Sequence, residues 1–528
     1  MDLPPVSHPI PSNMPSYQTI LPLALCWLAT HSDLLARQWS LVGIPNPVSA
    51  EYIGMHAGQV MLQSPDGRQS EFPLSRFSAA DQDHLRFLAG SQLPSSTAHG
   101  KRESVEILEG RNVTLNAATE LHITGNVAPL VGSSIHFTSA DAWLFLDHVP
   151  PKSVETSLLK QMRVNGEPAV ADKNIRILQY KQGTVIIPHG PSYPAMTVFA
   201  NPSFEGTSKP LICYEEYSDA KRLPAKESIS SFRLKRGYMA TLATQRDGSG
   251  ISKNYVAQDQ DIEVKSLPPS LAGNVRFIRV FPWRWSSKKG VAGNIHQPFN
   301  CGWYYDWNIS SQSSPSLEYV PIAQKVNWPN LQQDWKSRGS LHLLGFNEPD
   351  HKDQANLTVD QAINAWPHLL ATGLRLGSPA VSDGGLRWLY EFMDKADAAK
   401  LRVDFVAVHY YRAHSQPADA QGAAKQFYQY LKDIHDRTKR PIWITEWNNG
   451  ANWTKEPKPT VEQQKRTIAA MIKMLDETPF VERYALYNWV EDCRNIQRKD
   501  GSITPAGEAY RDEIAPVSYH QAPNGNNR

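Results

Sequence analysis

Residues 343–350 read LLGFNEPD, an apolar strand-like run that ends on a glutamate, Glu348. A second run of this kind, PIWITEW at residues 441–447, carries Glu446 near its end. A glutamate at the end of a buried strand is costly unless its carboxylate is paired or functional. Outward from these two stretches, short apolar runs alternate with helical periodicity from about residue 268 onward. Eight strands with interleaved helices predict a (β/α)8 barrel, a TIM barrel.

The eight predicted strands lie at residues 275–280, 303–307, 317–322, 341–346, 374–378, 404–411, 441–446 and 484–489. Apolar residues recur at helical spacing between several of them, and the last helix begins with a Thr460-x-x-Gln463 capping box. The first three connections are irregular, so the prediction depends mainly on the last five strand–helix units. Residues 268–515 are therefore predicted to form one (β/α)8 catalytic domain.

The carboxyl ends of barrel strands carry the functional groups of such domains. By this count Glu348 and Glu446 end the fourth and seventh strands. Glycosidic bond hydrolysis requires two opposed carboxyl groups, because one donates a proton while the other attacks or activates water. The structural alternative is that Glu348 caps the next helix and Glu446 forms an ion pair. The presence of both glutamates with their flanking residues favours catalysis.

Residues 268–515 resemble glycoside hydrolase family 128, the glycosyl hydrolase catalytic core group of β-1,3-glucanases. The matching stretches are 343–350, 354–367, 376–382 (LGSPAVS), 404–411 (DFVAVHYY), 441–447 and 483–489 (RYALYNW), with 303–307 and 319–322. The resemblance implies a retaining endo-β-1,3-glucanase whose partner is a β-glucan polysaccharide. Two departures, at 321–324 and 447–453, lie where sugar subsites form and leave the exact glucan preference open.

The family pattern implies a role for each matching residue. Glu348 would be the general acid/base and Glu446 the nucleophile. Asn347 would bind the 2-hydroxyl of the sugar in the cleaved subsite, and His409 and Tyr411 would orient the nucleophile and hold the sugar. His409 could instead be a structural histidine, and Tyr411 could pack at the rim.

Tryptophan is concentrated in this domain, since twelve of the 15 tryptophans follow residue 280. Aromatic rings bury the apolar faces of sugars at little entropic cost. We therefore predict that strand-end aromatic residues bind substrate, namely Tyr305, Trp307, Trp447, Trp489 and Trp283. For Trp283, packing and substrate contact are equally supported. Trp366 and Trp388 lie on helical apolar stripes and are predicted to be core.

The remaining chain divides into five further segments. Residues 1–36 are predicted to be a leader whose apolar run resembles a signal peptide without a basic start, which favours a secreted, periplasmic or cell-surface protein. Residues 37–90 resemble a Sla-homology type 1 domain, a small SH3-like β-barrel. A linker (91–103) and an all-β sandwich-like domain (104–267) follow, and 516–528 are predicted to be a disordered tail. The all-β domain could bind carbohydrate or serve as structural support.

Composition excludes several classes of function. The balance of 54 Lys+Arg against 52 Asp+Glu gives no electrostatic argument for nucleic acid, and no apolar run is long enough to span a membrane. The motifs of metalloproteases, P-loop proteins and serine hydrolases are absent, so no cofactor or metal is predicted. The sequence gives no protein partner. Two alternatives stay open: a related glycosidase acting on a β-1,4-linked polysaccharide, and a non-catalytic glycan-binding or adhesion protein.

Overall fold

The computed structural model describes residues 37–56, 59–78, 81–82, 85, 102–116, 119–125, 128–190, 193–213, 216–218 and 229–521. The chain separates into two compact units, residues 1–90 and 91–528, which are described individually below. The predicted leader (1–36) and most of the predicted linker (91–101) lie outside the described residues. No described helix is long and apolar enough to cross a membrane.

The first unit contains a four-stranded antiparallel meander in chain order. Its core includes Trp39, whose indole nitrogen donates to the Ala50 carbonyl. The strands are Arg37–Trp39, Val48–His56, Gln59–Gln63 and Gln69–Pro73, followed by a short 3-10 turn at Leu74–Arg76.

The second unit begins with short strands that stack in parallel, and here the predicted sandwich is wrong. The strand at 120–123 pairs in parallel with those at 102–105 and 143–146, and the strand at 134–137 pairs in parallel with 112–115 and 162–164. A sandwich requires antiparallel sheets. Apolar residues alternate along short strands that stack in parallel, just as they do along sandwich strands. The sequence pattern therefore does not distinguish the parallel stack from an antiparallel sandwich. The elements are Arg102–Val105, Leu108–Glu109, Asn112–Leu115, Glu120–Ile123, Leu130–Val131, Ser134–Phe137, Trp143–Leu146, the helical turns Pro151–Ser153, Val154–Leu158 and Leu159–Gln161, then Met162–Val164, Glu167–Pro168, Ile175–Tyr180 and Gly183–Pro188.

Two antiparallel sheets do pack face to face, but over residues 194–282. Met196 and Phe232 from one sheet meet Leu242 and Val280 from the other in a shared apolar core. One sheet contains Pro194–Phe199, Ser208–Ile212, Ser231–Leu234 and Ile262–Val264, with a 3-10 turn at Pro202–Phe204, and the other contains Glu216–Tyr217, Tyr238–Ala243, Ser252–Ala257 and Phe277–Pro282.

The strand at Phe277–Pro282 corrects the predicted start of the catalytic domain. It pairs antiparallel with Tyr238–Ala243 and so belongs to the sandwich. The first strand of the catalytic core is instead Lys289–Ala292, which pairs in parallel with the second and the last core strands. This strand was missed because KGVA is short and contains only two apolar side chains.

The C-terminal β/α region, within residues 283–521 and called the core below, contains eight parallel strands and six helices. The strands are Lys289–Ala292, Trp303–Tyr305, Glu318–Tyr319, His342–Leu343, Arg375–Leu376, Val406–Tyr410, Ile442–Trp447 and Val481–Leu486. The helices are Trp335–Arg338, Val359–Leu370, Leu386–Ala398, Ala420–Thr438, Val461–Glu477 and Pro505–Asp512.

These eight strands form two ladders rather than one closed cylinder. Six of them form one sheet, and His342–Leu343 and Arg375–Leu376 form a separate pair. Isolated parallel bridges at Ile322–Leu344 and Gly377–Phe405 connect the two sheets. Each strand of the separate pair is only two residues long, and Pro379 beyond it has no N–H to donate to a ladder. A continuous closed barrel, as predicted, is therefore not formed.

The chain end corrects a further prediction. Residues 516–521 were assigned to a disordered tail, but Ser518 and Tyr519 are buried. Val517 forms an antiparallel bridge with Ser287, and the Tyr519 ring packs against Trp283 at 5.1 Å. These contacts join the chain end to residues near the start of the core, which are far away in the sequence. The local sequence of the chain end therefore does not predict them. Residues 522–528 lie outside the described part of the chain.

Candidate active site

The two glutamates predicted from the sequence lie side by side across His409. His409 Nδ1 is 2.8 Å from Glu348 Oε1 and 3.6 Å from Glu446 Oε2. One side-chain oxygen of each glutamate and one nitrogen of His409 all lie within 4.8 Å of one another. The three residues come from different strand ends, as a parallel sheet requires for groups that converge at one edge. Geometry would also admit a cation here, so the prediction of a metal-free site remains a prediction.

Three hydrogen-bond donors hold the carboxylate of Glu446. The Tyr305 hydroxyl and the Trp307 indole nitrogen donate to Oε1 at 2.9 and 2.8 Å. The Tyr411 hydroxyl donates to Oε2 at 2.6 Å. Both oxygens are therefore fixed in direction, and the side chain is only 8% exposed. A carboxylate held so rigidly has a fixed orientation toward any ligand bound beside it.

Glu348 is held less tightly. Its backbone adopts φ of +40°, and its N–H donates to the Ala380 carbonyl at 2.7 Å. Burial raises the pKa of Glu348, but the hydrogen bond and charge of His409 outweigh it and hold that pKa below the usual value. Its side chain is 16% exposed, twice the exposure of Glu446. Such a carboxyl group can reach a ligand and exchange a proton with it.

His409 is completely buried between the two carboxylates. Burial lowers its pKa, but the charges of Glu446 and Glu348 and the hydrogen bond to Glu348 raise it to about 9. The imidazole is therefore protonated at neutral pH and offsets one of the two negative charges. This arrangement stabilises two carboxylates that would otherwise repel each other.

Asn347 is buried beside Glu348, and its amide nitrogen donates to Gln354 Oε1 at 3.2 Å. Its side-chain oxygen has no hydrogen-bond partner among the described residues. A buried polar atom without a partner is costly, so this oxygen is suited to accept a bond from a ligand after a small side-chain movement.

Asp383 was missed by the sequence analysis. Its Oδ2 accepts the Tyr411 N–H at 2.9 Å, and Tyr411 in turn holds Glu446. Burial is the main cause that raises the pKa of Asp383 to about 6. Its position directly after the strand end LGSPAVS could have identified it, because strand ends face the site.

Replacing Asp383 by asparagine is expected to stabilise the folded protein near neutral pH. Because the folded-state pKa is raised, the folded protein binds this proton more tightly, and the charged form weakens the fold as pH rises through about 6. Asp383→Asn should therefore raise the free energy of unfolding at pH 7 by up to about 3 kcal/mol, and by little near pH 4. Denaturant unfolding at both pH values tests this, with exposed Asp353→Asn as the control. Equal shifts in both variants would contradict it.

Aromatic rings surround the carboxylates. The Trp307 ring packs edge-on against Trp489 at 5.6 Å and against Tyr487 at 6.0 Å. The Trp453 ring packs against Tyr411 at 4.9 Å and against Tyr487 at 6.3 Å. Trp489 and Trp453 are 47% and 55% exposed, so their rings are free to contact a ligand. Tyr487 could have been predicted, because it continues the inward alternation of Arg483 and Ala485.

A glycine makes room for the Trp489 ring. A Cβ at Gly293 would lie 2.1 Å from the ring of Trp489, and the backbone there has φ of +91°. Gly293→Ala should therefore displace the ring, raise KM for a polymer several-fold and cost about 1–3 kcal/mol of stability. Gly501→Ala is the matched control, since it has φ of +85° and open space around it. Unchanged KM in Gly293→Ala, measured with polymer substrate, would exclude a role for Trp489 in binding.

The structure places Trp447 in the core, so its predicted contact with substrate is wrong. Its ring is fully buried and packs against Phe427 and Tyr510. A β-bulge causes this, because the register shifts between Val408 and His409 on the neighbouring strand. The extra residue turns Glu446 toward the site and Trp447 away from it, whereas strict alternation would have done the opposite.

Trp283 is also wrong as a substrate-binding residue. It is fully buried, and its indole nitrogen donates to Gln258 Oε1 at 3.1 Å. Its ring packs edge-on against His342, at the start of the fourth core strand. Trp283 follows the sandwich strand rather than a core strand, so the error follows from the assignment of Phe277–Pro282.

Residues 282–510 match the family model of the glycosyl hydrolase catalytic core. A solved glycoside hydrolase family 128 (subgroup I) endo-β-1,3-glucanase variant from Amycolatopsis mediterranei, in complex with laminaripentaose, is 32% identical over 43% of this chain and 99% of that chain, with a TM-score of 0.39. The family model thus covers every core strand and includes both Glu348 and Glu446.

Two further proteins are similar to this catalytic core. A subgroup III curdlan-specific exo-β-1,3-glucanase from Blastomyces gilchristii, in complex with glucose, is 29% identical over 43% of this chain and 98% of that chain, with a TM-score of 0.34. Alkali-sensitive linkage protein 1 from Schizosaccharomyces pombe is 31% identical over 224 residues, which are 39% of this chain. The match covers 39% of the length of that curated relative.

Proposed function

We propose that this protein is a retaining glycoside hydrolase that cleaves β-1,3-glucan with Glu446 as nucleophile and Glu348 as general acid/base. The observation that carries the proposal is the pair of carboxylates on either side of His409, one fixed by three donors and the other more exposed. Glu446 would attack the anomeric carbon while Glu348 protonates the leaving oxygen. Water would then release the sugar from Glu446, with Glu348 acting as base.

The spacing of the carboxylates supports retention of configuration. Oxygens of the two groups lie within 4.8 Å of each other. Retaining enzymes hold their carboxyl groups about 5–5.5 Å apart, whereas inverting enzymes separate them by about 6.5–9.5 Å to admit a water molecule. An oxygen–oxygen separation of at most 4.8 Å fits the shorter, retaining arrangement.

The proton for the leaving group is held by the pair of Glu348 and His409. His409 Nδ1 and Glu348 Oε1 are 2.8 Å apart and share a proton that rests on His409 in the unliganded site. A bound sugar displaces water from Glu348, and desolvation favours the neutral carboxyl group. Glu348 then takes the proton and can donate it, while His409 becomes neutral.

The state of His409 predicts an alkaline limit. Because its folded-state pKa is raised to about 9, its stabilising charge is fully present below about pH 6.5 and is lost as pH rises through about 9. We expect kcat and the free energy of unfolding both to fall across this range, and the fall in the free energy of unfolding to be smaller in His409→Phe. Chemical denaturation from pH 6 to 10 measures it. A wild-type unfolding curve that stays flat over these values would exclude a protonated His409.

The choice of glucan rests on the aromatic surface and on the comparisons. Exposed Trp489 and Trp453 both pack against Tyr487, so one glucan chain can contact both rings. Contact with two rings along a chain favours internal, endo cleavage. The endo-β-1,3-glucanase from Amycolatopsis mediterranei shares 32% identity with this chain.

Release of reducing sugar from laminarin, xylan and mannan tests the proposal. Cleavage of laminarin alone is expected, with oligosaccharides of several lengths as early products. Cleavage of xylan or mannan in its place would establish the β-1,4 alternative. Binding of a polymer without release from any of the three would establish a glycan-binding or adhesion protein.

Two further assignments belong to the same proposal. The four-stranded meander of residues 37–73 is proposed as an SH3-like module. The polysaccharide substrate favours a secreted, periplasmic or cell-surface location, which fractionation of the native host would test.

A further inference from the structure

A cavity of about 360 Å³ lies at the junction of the all-β region and the catalytic core. Arg176 lines it from the strand Ile175–Tyr180, and His189 lines it from the position directly after the strand Gly183–Pro188. Lys336 and Ser340 line it from the core, before the fourth core strand, and Arg284 lies between the two parts. None of these residues contributes to the site of Glu348 and Glu446.

Arg176 is the unusual member of the cavity wall, because its charged side chain is only 5% exposed. Its Nη2 donates to the Gly237 carbonyl at 3.2 Å, and its guanidinium stacks on Tyr238 at 4.9 Å. Its Nε and Nη1 have no hydrogen-bond partner among the described residues. A buried charge with unsatisfied donors is strongly unfavourable unless a ligand of opposite charge completes it.

A second polar group in the wall is also incomplete. Ser340 is 1% exposed, and its hydroxyl has no hydrogen-bond partner among the described residues. The two unsatisfied groups come from different parts of the fold and line the same cavity. Both are hydrogen-bond donors, which is the type of group that recognises an anion.

The charged residues of the wall are mostly basic. Among the described residues that line the cavity, Arg176, Arg284 and Lys336 are basic and Asp172 is acidic. These basic residues also affect His189. Burial, together with the charges of Arg176 and Lys336, lowers the pKa of His189 to about 3. His189 is therefore neutral, and its Nδ1 lies 3.1 Å from the Tyr238 hydroxyl. The described lining therefore contains more basic than acidic residues, which favours an anionic ligand.

We propose that this cavity binds a small oxyanion of the phosphate or carboxylate class, with Arg176 and Ser340 as donors and Lys336 as the second charge. Its volume admits ligands from inorganic phosphate to an acidic monosaccharide. The Arg176 guanidinium reaches the anion by a small side-chain rotation that keeps its stacking on Tyr238. The ligand then bridges the all-β region and the core. The proposal does not depend on the reaction assigned to Glu446.

Isothermal titration of the full chain tests the proposal with three probes: inorganic phosphate, glucuronate and glucose, at constant ionic strength set by sodium chloride. We expect phosphate or glucuronate to bind and glucose not to bind, and the anion that binds identifies which source of the oxyanion fits. Arg176→Met should weaken this binding at least tenfold. Lys336→Met should weaken it several-fold.

Lys336 is exposed, so Lys336→Met keeps the test valid if Arg176→Met does not fold. Lys473→Met removes an exposed charge on a core helix and is the matched control. Unchanged anion affinity in Lys336→Met, equal binding of glucose, or no binding of either anion by the wild type would each overturn the proposal. A weakening in Lys473→Met equal to that in Lys336→Met would show a nonspecific charge effect and overturn it as well.

Discussion

Glu446→Ala is expected to lower kcat on laminarin by on the order of 10⁴-fold, because no other group can form the covalent bond to the sugar. This carboxylate accepts hydrogen bonds from Tyr305, Trp307 and Tyr411. No neighbouring carboxylate among the described residues is held in the same position and could take its place. Reducing-sugar release over hours measures the loss. The substitution removes the carboxylate and leaves space for a small anion.

Azide distinguishes loss of the nucleophile from loss of structure. In Glu446→Ala, azide should fill the space and attack an activated aryl β-glucoside, which gives the α-glycosyl azide and releases the phenol. Glu462→Ala changes an exposed glutamate on the helix Val461–Glu477 and should keep full activity. A folded Glu446→Ala protein with near wild-type activity would show that another group is the nucleophile.

Glu348→Ala is expected to lower kcat on laminarin by about 10²–10⁴-fold, the usual contribution of a general acid. The loss should be much smaller on a dinitrophenyl β-glucoside, since this leaving group departs without a proton. The comparison of the two substrates measures the contribution of the acid directly. Azide should again increase the rate, but with the β-glycosyl azide as product because Glu446 still forms the covalent intermediate.

The double variant Glu348→Ala, His409→Phe tests whether His409 acts through Glu348. If the two residues share one proton across the 2.8 Å contact, the double variant should lose little more than the poorer single variant. Additive losses would show that His409 acts mainly through Glu446.

Equal loss of Glu348→Ala activity on laminarin and on the aryl substrate would contradict the acid assignment.

The two glutamates could be predicted from sequence because each ends an apolar run, a pattern that is local and needs no tertiary information. Their convergence across His409 follows from strands that share one edge of a sheet. By contrast, Asp383 carries no local signal of its own beyond its place after a strand, since its contact with Tyr411 joins residues 28 positions apart.

The sequence-based predictions that the structure corrects are those that depend on which strands pair with each other, rather than on the residue pattern within one strand. The run at 275–280 has the right periodicity for a core strand, but the ladder it joins is the sandwich. The strands at 102–164 alternate as sandwich strands do, but they pair in parallel. Trp447 follows the alternation of its own strand until a bulge reverses it. In each case the sequence predicts a strand, but hydrogen bonding to a distant segment decides which sheet the strand joins and which way its side chains point.

The sequence by itself therefore determined the class of the catalytic region, its two carboxyl residues and the aromatic character of the site, because these depend on residue type and short-range order. Only the tertiary structure decided which tryptophans face a ligand, where the core begins, and that His409 lies between the carboxylates. It also brought Arg176 and Ser340 to one cavity from segments more than 160 residues apart. The physical reason is that burial and charge are set by neighbours in space, and those neighbours are chosen by strand pairing across the whole chain.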